Sequence, residues 1–126
     1  MASGTEKNTQ ATESQVLTYT SGSQTITGTF KKIGRVVTCT IEATGNTSWN
    51  KAGWQPFLTG LRSEFQPENS VIASIGQAPN KVQGICVTGT TDTTEAHGSA
   101  GDVRINAVAS GSTASLWVEG YFVYFV

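Results

Sequence analysis

Histidine is almost missing from this chain: His97 is the only one in 126 residues. A Ser-His-Asp hydrolase would have to be built on it. Ser99 and Asp102 lie close in sequence, but no nucleophile-elbow pattern surrounds any serine. Charge is scarce as well. Charged residues make up 13% of the chain and the formal net charge is -1. A nucleic-acid binder shows a basic stripe. The one basic cluster, Lys31, Lys32 and Arg35, reads as a solvated strand-turn-strand edge. No apolar run approaches the ~20 residues that span a bilayer. The first residues lack the charged-then-apolar order of a secretion signal. These absences point away from nucleic acid and membrane, and toward a cytoplasmic protein or a particle component released by lysis.

Cysteine is limited to Cys39 and Cys86, too few for a disulfide framework. Both sit in apolar, strand-like runs, where a free cysteine behaves as a small buried hydrophobe. A bridge between the two stays open on sequence alone. Acids are few: outside the first 15 residues they are Glu42, Glu64, Glu68, Asp92, Glu95, Asp102 and Glu119. Nothing in their spacing marks a glycosidase pair. Asp92, Glu95, His97 and Asp102 crowd into eleven residues, yet match no EF-hand or zinc spacing. They read as a polar loop, so no metal and no cofactor is expected. No glycine-rich phosphate loop is present. Asn46-Thr-Ser48 fits the glycosylation rule, but without a secretion signal the match is incidental.

What the chain does hold is Thr, Ser, Gly and short apolar runs with a period of two. Residues 1–15 are polar and aperiodic, and read as a flexible leader or the end of a stalk or linker. From Val16 to Val126 the chain reads as one domain. Val37, Cys39 and Ile41 share one strand face; Val36, Thr38, Thr40 and Glu42 share the other. About eight or nine short strands, with turn signals at intervals of roughly ten residues, predict an all-β antiparallel sandwich or barrel. Two long loops are expected, Thr44 to Gln55 and Gly89 to Gly101.

Two stretches invite a functional reading. Trp49 and Trp54 fall in the first loop, where a tryptophan can stack on a sugar ring or anchor the loop. Trp54, between Gly53 and Pro56, suits the anchor; Trp49 suits an exposed position. Trp117 packs by default in the core. The last six residues, Tyr121 to Val126, are apolar at every position. Such a strand is either a central core strand or a strand with one face against other subunits, because an exposed apolar ribbon invites aggregation. The oligomer is the preferred reading, with Tyr121, Val123 and Phe125 at the interface.

Four segments resemble a known family. Gly28-Thr-Phe-Lys-Lys-Ile-Gly-Arg-Val-Val-Thr-Cys-Thr-Ile41 is similar to the opening strands of head domains in receptor-binding proteins. These are tail-fibre and baseplate proteins of siphophages and prophages of Gram-positive bacteria. Leu61-Arg-Ser-Glu-Phe-Gln-Pro67 resembles the family's Leu-Pro-x-x-Phe-x-Pro turn, with Arg62 in place of the first Pro. Gly101-Asp-Val-Arg-Ile-Asn106 resembles its Gly-x-Val-x-Ile strand. The aromatic C-terminal strands complete the resemblance, which spans residues 16–126.

The resemblance implies a jelly-roll-like head, usually a homotrimer on a stalk, that binds host cell-wall saccharide without catalysis. It implies a place in the virion at the tail tip or baseplate, and contact with other tail proteins through the N-terminal stalk. Family sites lie near subunit interfaces and use Trp, His, Asp and Arg. By residue type and loop location this suggests Trp49, Trp54, Arg62, His97 and Asp102. The alternative is a structural baseplate or tail module that binds another phage protein.

Overall fold

The computed structural model describes residues 12–21, 24–44, 47–49, 53–74, 76–78, 82–107 and 114–126. The first hairpins come from alternating Thr and apolar residues. Glu13–Ser21 (β1) pairs with Gln24–Ile33 (β2), and β2 with Val36–Thr44 (β3), all antiparallel. Next come Thr47–Trp49 (β4) and Gly53–Leu58 (β5). Three short strands follow: Val71–Ala73 (β6), Gly76–Ala78 (β7) and Val82–Val87 (β8). Val103–Ala107 (β9) and Ala114–Phe125 (β10) complete the set. Among the described residues no helix is long and apolar enough to cross a membrane.

The strands form two antiparallel sheets. The larger runs β1-β2-β3-β10-β4, with β7 also paired to β10; the smaller runs β5-β9-β8-β6. Ile26, Phe30, Val37, Cys39, Ile41, Phe122 and Tyr124 of the larger sheet meet Leu58, Ile85, Val87, Val103 and Ile105 of the smaller in one buried cluster. The fold is therefore the expected all-β class with sandwich-like packing. Gly28 marks a close approach of the two sheets. A Cβ there would lie 2.5 Å from Leu58 Cδ1, so only glycine leaves Leu58 its place.

Phe65 is fully buried in a 3-10 turn at Ser63–Phe65. The Tyr124 hydroxyl donates to its carbonyl at 2.7 Å, tying β10 to that turn. Several boundaries differ from expectation. The first strand begins at Glu13 rather than Val16, because Glu13, Ser14 and Gln15 continue the ladder opposite Lys32, Lys31 and Phe30; residues 1–11 lie outside the described set. The expected loop from Thr44 to Gln55 contains two strands, so Trp49 and Trp54 stand on strands. Gly76–Ala78 is a strand whose backbone pairs with Trp117–Glu119. β10 runs through Gly120, since Ile41 pairs with it and carries the ladder on.

Residues 121–125 alternate after all. Phe122 and Tyr124 face the core, while Tyr121 and Phe125 are each 65% exposed and Val123 46%. The run is apolar on both faces, but within a single chain one of those faces meets water.

Candidate functional site

The smaller sheet has an outer face, and the Gly89–Gly101 loop folds onto it. Along β8 and β9 the alternation sends Ile85, Val87, Val103 and Ile105 into the core. Cys86 and Arg104, cross-strand partners, are left on the other side. Trp54 stands across from Asn106, one pleat further along. Cys86 is nevertheless fully buried, because the loop covers it.

The base of the loop is pinned on both strands. The Thr88 N–H donates to Asp102 O at 2.9 Å and the Gly101 N–H to Thr88 O at 3.4 Å. Its early part is held to the preceding segment: the amides of Thr90 and Thr91 donate to the Pro67 and Glu68 carbonyls, each at 3.0 Å. The buried Thr88 hydroxyl donates to His97 O at 2.6 Å, which fixes the short 3-10 turn Glu95–His97. Gly98 follows with φ 81°. A side chain there would be strained and would also run into the Asp102 carboxylate and Arg104 guanidinium.

These anchors assemble a compact polar cluster. His97 Nδ1 lies 2.6 Å from Asp92 Oδ2; the two side chains are 15% and 9% exposed. The Ser70 hydroxyl donates to the same oxygen, and the Thr94 N–H donates to Oδ1 at 2.7 Å. These hydrogen bonds, Ser70 and His97 foremost, hold the Asp92 carboxyl well below the usual carboxylate range. The edge-on pairing of Trp54 with His97, centroids 5.2 Å apart at 84°, sets the indole beside the cluster. On the far side Asp102 Oδ2 accepts from the Ser99 N–H at 3.0 Å and lies 3.4 Å from Arg104 Nη2. Arg104 Nη1 donates to Ala96 O at 3.2 Å, while its Nε is buried without a partner among the described residues.

The Cys86 thiol is pushed up, chiefly by burial, with the Asp92 charge adding to it. Ser70, Thr88 and Arg104 act the other way. A neutral buried thiol is a poor nucleophile, and the Nδ1 edge of His97 is already committed to Asp92. The cluster thus offers an aromatic edge, an imidazole, a guanidinium and two carboxylates in fixed positions, with no activated nucleophile among them. Cys86, Asp92 and His97 also present donor atoms within 4.8 Å of one another.

Of the residues suggested from sequence, the structure brings Trp54, His97 and Asp102 together. Arg62 stands apart: its guanidinium donates to Ser14 O at 3.0 Å, pairs with Glu64 at 2.9 Å and lies over the Phe65 ring. It clamps β1 to the Leu61–Pro67 turn. The Trp49 side chain lies outside the described residues. Sequence reasoning passed over Arg104, although the alternation of Val103-Arg-Ile-Asn-Ala107 puts Arg104 and Asn106 on one face. It also read Cys86 as plain core, with no signal that a loop thirteen residues long would fold back over it. Both cysteines are free. No family model, curated protein or solved structure matches the chain.

Proposed function

We propose that this chain is a non-catalytic host-adhesion head domain of a phage or prophage tail that binds cell-surface saccharide on a Gram-positive host. The observation that carries the reading is the edge-on pairing of Trp54 with His97, with the Arg104–Asp102 pair held to the same loop through Ala96 O and the Ser99 N–H. Saccharide recognition needs an apolar surface for the sugar's C–H face and fixed donors and acceptors for its hydroxyls. Trp54 supplies the first, and the loop side chains, already held by their neighbours, supply the second at little ordering cost. The resemblance of residues 16–126 to receptor-binding heads supports the same reading, and with it a virion location at the tail tip.

The exposed face of β10 supports a companion proposal, a homotrimer in which Tyr121, Val123 and Phe125 meet other copies. Three shallow sites on one particle would raise avidity without new contacts. The same face also favours the second reading, a structural tail module that docks another phage protein. Adsorption of the purified domain to isolated Gram-positive cell walls separates the two. On the leading reading the domain binds walls and releases no reducing ends. Trp54→Ala and Arg104→Ala each weaken adsorption about tenfold, near 1.4 kcal/mol, with the fold kept. Wall binding untouched by both substitutions removes this face from the reading, and no wall binding at all leaves the structural module.

A further inference from the structure

We propose that Cys86, Asp92 and His97 form a binding site for one divalent transition-metal ion of the zinc class. The three donors come from three differently anchored places: strand β8, the turn after Gly89, and the Glu95–His97 turn. Their thiol, carboxylate and imidazole atoms all lie within 4.8 Å of one another. A tetrahedral ion with bonds of about 2.0–2.3 Å holds its donors about 3.3–3.8 Å apart. The Asp92–His97 pair, now at 2.6 Å, opens by under about 1 Å to admit it, and Cys86 closes on it. Sulfur and imidazole nitrogen together select zinc or cobalt over calcium or magnesium.

The surroundings are those of a ligand set held in place. Asp92 is oriented by the Ser70 hydroxyl and the Thr94 amide, and Ser70 is itself fixed by the Gly89 N–H at 2.8 Å. Thr88 holds the backbone of His97. Such outer partners fix ligand geometry. The charges also balance. With the thiol and imidazole neutral, Asp92 and Asp102 against Arg104 leave the cluster one negative charge. A divalent ion that displaces the thiol proton brings it to zero. That proton goes to solvent, and the imidazole proton that faces Asp92 from Nδ1 passes to Nε2 as Nδ1 takes the ion, so no oxidant or reductant is involved. Three protein ligands leave a fourth position for water or an oxygen ligand. Bound there, the ion staples the Gly89–Gly101 loop to β8 and fixes the wall opposite Trp54. The inference stands apart from the saccharide reading, because it concerns ion binding alone.

Cobalt(II) titrated into the reduced 126-residue chain gives the test. The expected result is one equivalent bound, a thiolate-to-cobalt charge-transfer band in the near ultraviolet, and release of one proton. Zinc bleaches the band. Cys86→Ser abolishes it, His97→Gln and Asp92→Asn weaken binding strongly, and Ser70→Ala weakens it about tenfold as an outer partner does. Cys39→Ser leaves it intact, since that thiol is buried in the core and pushed up to about 12. A folded wild-type chain with no charge-transfer band overturns the proposal without any variant. So does a band that survives Cys86→Ser.

Discussion

At the residue scale, two side chains hold their neighbourhoods through oxygen atoms. Asp92 accepts from Ser70 and Thr94 and faces His97 Nδ1. Its carboxyl is therefore held below the ordinary value of about 4. A depressed acid stabilises the fold above its unfolded pKa and loses that contribution as the pH falls through the folded one. The expected outcome is that Asp92→Asn is less stable than wild type at pH 7. The gap then narrows steadily as the pH falls below about 4, as read by urea unfolding at each pH. A gap that stays constant down to pH 3 would mean the carboxylate charge plays no part. Tyr124 is the second case. Burial, with Cys39 beside it, raises its phenol well above the usual range, so the hydroxyl remains a donor to Phe65 O throughout. Tyr124→Phe keeps the ring and orphans that carbonyl, at a cost of about 1–2 kcal/mol in chemical unfolding.

At the scale of elements, strand β2 shows how a missing side chain sets the spacing of two sheets. Gly28 faces Leu58, Phe30 and Ile41, and Leu58 takes the volume that any side chain at 28 would fill. Gly28→Ala is expected to destabilise by about 1–3 kcal/mol through overpacking. Leu58→Val in the same chain should recover part of the loss, a coupling that a double-mutant cycle measures directly. Additive losses would mean the two residues do not compete for space. β2 and β3 were readable in the sequence because their Thr/apolar alternation is long enough to fix a register. The short strands β4 and β7 were not. Three residues carry no period, and both exist only because β10 offers backbone partners. The same limit hid half of the site. His97 and Asp102 announce themselves in a polar loop, and Trp54 as an aromatic beside it. Cys86 and Arg104 join them only through the β8–β9 register, which is a property of two strands and not of either alone.

At the scale of the whole molecule, the outer face of the larger sheet is uneven. Cross-strand rows place Thr29, Thr40 and Tyr121 together, then Lys31, Thr38 and Val123, then Ile33, Val36 and Phe125. Moving toward β10 and the β2–β3 turn, threonine gives way to exposed apolar side chains: Ile33 is 51% exposed and Val36 40%. The patch is firmly held, because the Val126 N–H donates to Arg35 O and Arg35 Nε donates to Val126 O, both at 2.9 Å. A rigid apolar patch binds with little ordering cost, and closed symmetry is the arrangement that hides the same patch on every copy. For the homotrimer that the resemblance implies, the expected mass in solution is near three times 13.3 kDa by light scattering on a sizing column. Phe125→Lys, which buries a charge in that contact, should return the chain to a folded monomer. Because its side chain faces away from the core, the substitution leaves Phe122 and Tyr124 where they are. A wild-type monomer at tens of micromolar would remove the homotrimer from the proposal and leave this face to a different partner protein. A trimer indifferent to Phe125→Lys would place the subunit contact on another face of the domain.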